Sequence, residues 1–284
     1  MTRKPRVAIV GAGSLATFLA VALRESGYSV TEIVSRNSPR SLRHALTLAS
    51  KVDARATVGE TATLDAGLLW FCVPDRAIRE AASSLAVRAK GKVRFAFHSS
   101  GALLSHELRC LRRSGAAVAS VHPLMTFVPG SHPSLAGVPF ALEGDAAAMR
   151  LARRMVRDLG GESFALPAAR KAAYHAWAAL TSPLWLGFLV TLEEAARAAG
   201  LPRAESRRMS LPIIRQTLEN YSQLGPEHSF SGPIIRGDAT TMVKHLTVLK
   251  KHPAVRDVYV ALARVALDRL PAKNREQLRR LLNN

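Results

Sequence analysis

Lys171, Tyr174 and His175 fall within about one helical turn, and their i, i+4 spacing sets Lys171 and His175 on one face. An amine and an imidazole so placed suit general acid catalysis. Two polar turns, His98-Ser99-Ser100-Gly101-Ala102 and His122-Pro123-Leu124, add hydroxyls and imidazoles, and each follows an apolar stretch. Ser182 lies further along the helical run that holds Lys171. Ser99, Ser100, His122, Lys171 and His175 form the candidate catalytic set. Each has a plainer reading. Ser100 suits a helix cap, and His98 and His122 suit satisfied buried histidines. Lys171 suits a solvated residue at a helix start, and His175 a residue packed on a sheet.

A second constellation lies near the start of the chain. Val7–Val10 runs into Gly11-x-Gly13-x-x-Ala16, with Ser14 and Leu15 opening a helical stretch. Gly11 permits a sharp turn, Gly13 lets the backbone approach a pyrophosphate, and Ala16 lets the helix pack on the strand. The helix N-terminus then faces the phosphates. Beyond the second strand stand Ser35-Arg36-Asn37-Ser38. An NAD enzyme normally has an acid there for the ribose hydroxyls, whereas an arginine beside hydroxyls suits the 2′-phosphate of NADP. Glu32 is the rival acid, but Ile33 and Val34 follow it and leave it in mid-strand. Arg36 also reads as an ordinary exposed arginine. The fourth strand ends Phe71-Cys72-Val73-Pro74-Asp75; Pro74 stops it, Asp75 suits an N-cap, and the Val73-Pro74 backbone lies where the nicotinamide ribose passes. The candidate cofactor set is Gly11, Gly13, Ser14, Leu15, Ser35, Arg36, Val73, Pro74 and Asp75.

The elements that hold these residues alternate. Strands are predicted at Val7–Val10, Val30–Ser35, Ala54–Val58, Leu68–Val73, Val93–His98, Ala117–Val121 and Val138–Leu142, with helices such as Ser14–Ser26, Asp75–Arg88 and Leu103–Arg113 between them. That order gives an α/β fold with a doubly wound parallel sheet, whose ligands bind beyond the strand ends. From about Pro167 the alternation stops. Ala168–Ala199 reads as one very long helix, with Pro183 kinking it or starting a new segment. Its middle, Ala176–Leu192, is apolar and reads as a buried core helix with a dimer face rather than a membrane span. The expected domains are 1–166, which binds cofactor, and 167–284, all helical, which binds substrate and dimerises.

Composition narrows the classes. The 284 residues are 48% hydrophobic, ample for a core, and the two cysteines cannot build a disulfide framework. The formal net charge of +19 comes from 31 Arg and 9 Lys scattered at helical spacing, without a nucleic-acid readout motif. Specific nucleic-acid binding is therefore not expected, while anionic ligands are attracted. No metal-ligand spacing and no Gly-x-Ser-x-Gly elbow occurs. Thr2–Arg6 followed by apolar Val7–Leu23 imitates a secretion signal, but Gly-Ala-Gly interrupts it and a second strand follows. A cytoplasmic protein without membrane attachment is expected.

A sheet half followed by a helical half resembles the 6-phosphogluconate-dehydrogenase-like superfamily. His98–Ala102, Val121–Leu124, Lys171-x-x-Tyr174-His175, Gln216–Asn220 and Gly232-Pro-x-x-Arg236-Gly237-Asp238 together resemble a closer family, across nearly the whole chain. These are the NADP-oxidoreductase-type proteins with a Rossmann-like N-terminal domain and a C-terminal domain of unknown function. The resemblance implies NADP binding and a dimerising helical domain, and names no substrate. Related β-hydroxyacid dehydrogenases use a helix lysine to polarise a carbonyl oxygen, a role this implies for Lys171 or His175. At Ser182-Pro183 the family pattern Ser-Asn is broken, so one amide is missing. The expected function is an NADP-dependent oxidoreductase acting on a small, anionic carbonyl or imine metabolite, in a cleft between the halves. The alternatives are a non-catalytic NADP(H)-binding sensor, an enzyme like pyrroline-5-carboxylate reductase, or a deazaflavin in place of the substrate.

Overall fold

A computed structural model describes residues 4–131 and 133–283, so the start of the basic stretch Thr2–Arg6 lies outside the described residues. The chain divides into two compact units, one ending at Ala178 and one starting at Ala179. The division falls later than residue 166 because Lys171 and Tyr174 bond to the strands of the first unit.

The first unit runs β1 (Val7–Val10), α1 (Ser14–Glu25), β2 (Val30–Ser35), α2 (Pro39–Val52), β3 (Arg55–Val58), β4 (Leu68–Phe71), α3 (Asp75–Ala89), β5 (Phe95–His98), α4 (Arg109–Arg113), β6 (Ala117–Pro123), β7 (Pro139–Gly144), α5 (Ala146–Asp158), β8 (Glu162–Ala165) and most of α6 (Lys171–Thr181), whose last residues belong to the second unit. The strands make one sheet in the order β3-β2-β1-β4-β5-β6-β7-β8. All neighbours are parallel except β6 and β7. Strands covered on both faces read as continuous apolar runs, as Val7–Val10 and Leu68–Phe71 do. Val7 and Ile9 point into the core under α1, α2 and α5, while Ala8 and Val10 point into the core under α3 and α4. Every predicted strand is present. β8 was not foreseen, and the predicted helix Leu103–Arg113 is a 3-10 turn at Ser105–Leu108 followed by the short α4.

The second unit is helical: α7 (Pro183–Ala198), α8 (Arg203–Ser229), α9 (Pro233–Arg236), α10 (Ala239–Leu249), α11 (Pro253–Arg269) and α12 (Arg275–Asn283). Met242, Leu246, Val260, Leu267, Leu278 and Leu282 close a core among α10, α11 and α12. Glu193 of α7 accepts bonds from Arg203 and Arg207 of α8, and α8 is broken at Gly225, where φ is +74°. The expected long helix is split, with Pro183 starting a new segment as its missing N–H allows. The apolar run is not a buried core. Leu180 is 63% exposed, and Leu184, Leu186 and Val190 are exposed as well. Periodicity reports that a face is apolar, not that the same chain covers it.

Candidate functional site

The glycine turn is built as its spacing demands. Gly11 has φ of +111°, and a Cβ there would lie 2.5 Å from the Cys72 carbonyl oxygen, so only glycine fits between β1 and β4. Gly13 has open space around it and precedes α1 with no side chain capping the helix. The first-turn amides of Ser14 and Leu15 therefore remain available to an anion. Ala16 is fully buried on the inner face of α1.

A cleft of about 730 Å³ opens beyond β1, β2 and β4. Of the candidate cofactor set, Gly11, Gly13, Ser35, Arg36, Val73 and Pro74 line it, whereas Ser14, Leu15 and Asp75 are not in its lining. Ser14 faces an adjoining surface groove, and Asp75 accepts a hydrogen bond from Ser100 Oγ at 2.8 Å instead of capping α3. Glu32 is fully buried. Its carboxylate accepts the amides of Thr63 at 3.1 Å and Leu64 at 2.9 Å, which fixes Leu64 at φ +51° and withdraws the acid from the cleft. Arg40, Arg76 and His44 also line the cleft, and the sequence reading did not find them. A signal was present: a basic residue in a helix's first turn opposes the dipole, and Arg40 and Arg76 both stand there.

Around the ends of β5 and β6 lies a second group. His98 is fully buried; its Nε2 pairs with the Leu104 carbonyl at 3.0 Å and its Nδ1 accepts the Ser100 amide at 3.2 Å. Burial pushes its pKa down to about 4. Ser100 Oγ also caps the amides of Ala102 and Leu103. Ser99 accepts from the Trp70 indole at 2.9 Å. His98, Ser99 and Ser100 thus shape the turn. Lys171, expected at a solvated helix start or facing substrate, is only 2% exposed. Its ammonium donates to Ser120 Oγ and lies 3.9 Å from Glu143, its two partners on β6 and β7. Burial lowers its pKa to about 8, opposed by Glu143 and Asp75. Ser120 and Glu143 sit directly opposite each other in the antiparallel pair, within apolar strands that gave no functional signal.

The half-buried His122 and the buried Tyr174 pair beside this group. His122 Nδ1 lies 2.7 Å from the Tyr174 hydroxyl, and the His122 and His175 ring centres are 6.4 Å apart. A Cβ on Gly101 would lie 2.8 Å from both rings, so the bare backbone there makes room for the two imidazoles. Burial lowers His122 to about 4, helped by the Lys171 charge and by His175, and burial raises Tyr174 to about 12.

Residues 6–94 match the family model described as NADP oxidoreductase, coenzyme F420-dependent, and residues 138–266 match the domain of unknown function DUF2520. The chain carries an NADP-oxidoreductase-type N-terminal region and a DUF2520 domain. No curated protein gives a significant sequence match. Among solved structures, a candidate NADP oxidoreductase from Bacteroides fragilis is 23% identical, with a TM-score of 0.76 over 94% of this chain and 99% of that one. A protein from Thermotoga maritima, also 23% identical, gives a TM-score of 0.70 over 91% and 96% of the two chains. A reductive aminase from Aspergillus terreus, solved with NADPH and ethyl-5-oxohexanoate, is 16% identical, with a TM-score of 0.64 over 98% and 100%. At these identities the likeness establishes the fold of this DUF2520 protein.

Proposed function

We propose that this protein is a cytoplasmic, homodimeric oxidoreductase that uses NADP(H) to reduce a carbonyl or imine in a small anionic metabolite. The carrying observation is the β2 end of the cleft. Ser35, Arg36 and Arg40 stand there with no carboxylate on the Ser35–Ser41 segment, and Glu32 is committed to the Thr63 and Leu64 amides. Guanidinium groups match a phosphate and leave a bare ribose hydroxyl pair unserved. The open space at Gly13 and the tight Gly11 turn fit a pyrophosphate, held by the first-turn amides of Ser14 and Leu15. Val73 and Pro74 border the nicotinamide end. Bound there, the dinucleotide supplies the hydride.

The chain's own residues supply the rest. Val10, Val34 and Leu85 give the cleft dry walls, and Arg36, Arg40 and Arg76 draw in the anion. His122 stands on β6, two strands from β4 and about 10 Å away by strand spacing, with the His175 ring of α6 beside it, where a substrate needs hydrogen-bond donors. A second copy of the chain is the proposed cover for the apolar helices α7 and α8. Calorimetry tests the cofactor reading. NADPH binds at least about tenfold tighter than NADH, the value of one charge-assisted contact, and Arg36→Ala removes most of that preference. Equal affinities in the unaltered protein sink the reading.

A further inference from the structure

The oxidoreductase reading leaves open which group protonates the reduced substrate, and the inference drawn here rests on that reading. We propose that His122 donates this proton from Nε2, with Tyr174, Gly101 and Lys171 as its positioning residues.

The tautomer follows from the phenol. Tyr174 is buried, and a buried phenolic proton needs an acceptor. His122 Nδ1, at 2.7 Å, is the acceptor within reach among the described residues. Nδ1 therefore accepts, and the ring hydrogen resides on Nε2. Nε2 lies 2.8 Å from where a Cβ on Gly101 would stand, next to the His175 ring, and no acceptor among the described residues takes its hydrogen. With burial lowering its pKa to about 4, the ring is uncharged at neutral pH and keeps that hydrogen on Nε2. Lys171 does not compete for the role, because its ammonium is buried against Ser120 and Glu143. It pins the start of α6 to β6 and β7, and so fixes Tyr174 one turn further on.

The step balances. As the hydride reaches the substrate carbon, the π pair moves onto oxygen or nitrogen, which takes the Nε2 proton. The Tyr174 proton passes to Nδ1 in the same movement. Water then reprotonates Nε2, and the Nδ1 proton returns to the phenolate, whose pKa near 12 favours its recapture.

The test uses the full-length protein and two readouts. In protein labelled with 15N-histidine, His122 is the neutral Nε2–H tautomer at pH 7. Tyr174→Phe releases that tautomer, and Lys171→Met raises the ring's pKa. In the second readout, NADPH oxidation is followed against a panel of 2-oxo acids, cyclic imines and a deazaflavin. His122→Asn lowers kcat about 10²–10³-fold with the NADPH Kd unchanged. Gly101→Ala crowds ring ends rather than backbone, so it also lowers kcat while the protein stays folded and binds NADPH. An Nδ1–H or cationic His122 at pH 7 overturns the proposal. So does a kcat within twofold of normal in His122→Asn, or loss of NADPH binding in both His122→Asn and Gly101→Ala. These results leave the cofactor reading standing. An unaltered protein that binds NADPH yet reduces nothing on the panel overturns both.

Discussion

Buried bases set how single residues respond to pH. Burial lowers the pKa of His98, His122 and Lys171 in the folded chain, so the unfolded chain binds more protons than the folded one. Stability therefore rises with pH through each window. For His98, whose value falls from 6.5 to about 4, the stabilising increment is complete above 6.5 and is lost as pH falls toward 4. Its upper limit is about 3 kcal/mol at about 1.4 kcal/mol per unit. For Lys171, lowered from 10.5 to about 8, the penalty is full below 8 and disappears as pH climbs toward 10.5. Urea unfolding at pH 4.5, 7 and 9.5 will give rising stability, and Lys171→Met will flatten the upper rise. A stability that falls between pH 4.5 and 7 contradicts this account. Residues at strand ends were legible because a parallel sheet opens clefts beyond them, so residue type and spacing found Gly11, Gly13, Ser35, Arg36, Val73 and Pro74 in the lining of one cleft, while Ser14, Leu15 and Asp75 lie outside that lining. Ser120 and Glu143 were not. Their significance comes from a lysine far along the chain, and pattern within a strand carries no record of such a partner.

Caps and breaks decide the elements of the second unit. Gly232–Asp238, the most distinctive motif in the sequence, serves as architecture in the described chain. Gly237 takes φ of +70° to end α9, and Asp238 accepts the Thr241 amide at 3.0 Å and its hydroxyl at 2.7 Å to open α10. Asp238→Ala will lower stability by about 1 kcal/mol in thermal unfolding, and Asp238→Asn will recover most of it. An alanine variant as stable as the parent contradicts the capping role. Alternation and helical period exposed most elements. β8 escaped because Glu162–Ala165 holds one large apolar residue, and its pairing with β7 rather than its propensity makes it a strand. The helix at Leu103–Arg113 was overextended because apolar spacing continues through a turn that His98 and Ser100 bend from outside.

The whole molecule leaves much apolar surface uncovered. Ile213 is 69% exposed, and Leu184, Leu186, Leu218, Tyr221 and Leu224 are exposed on the same pair of helices, α7 and α8. Patches of this kind mark interfaces. The stretch Ala168–Ala198 is also long and apolar enough to cross a membrane, though helical geometry is interrupted at Ser182. Light scattering without detergent will give about twice 30.7 kDa, and Leu184→Glu with Ile213→Glu will shift the mass toward one copy. A monomer at micromolar concentration, or a protein that stays soluble only with detergent, rejects the dimer. The strand order carries one more consequence, for synthesis. As the chain leaves the ribosome, β2 joins β1, β3 joins β2, and β4 takes the free side of β1. Each later strand then adds to the one made just before it. No strand has to wedge between two that are already paired, so the sheet can grow outward at the pace of translation.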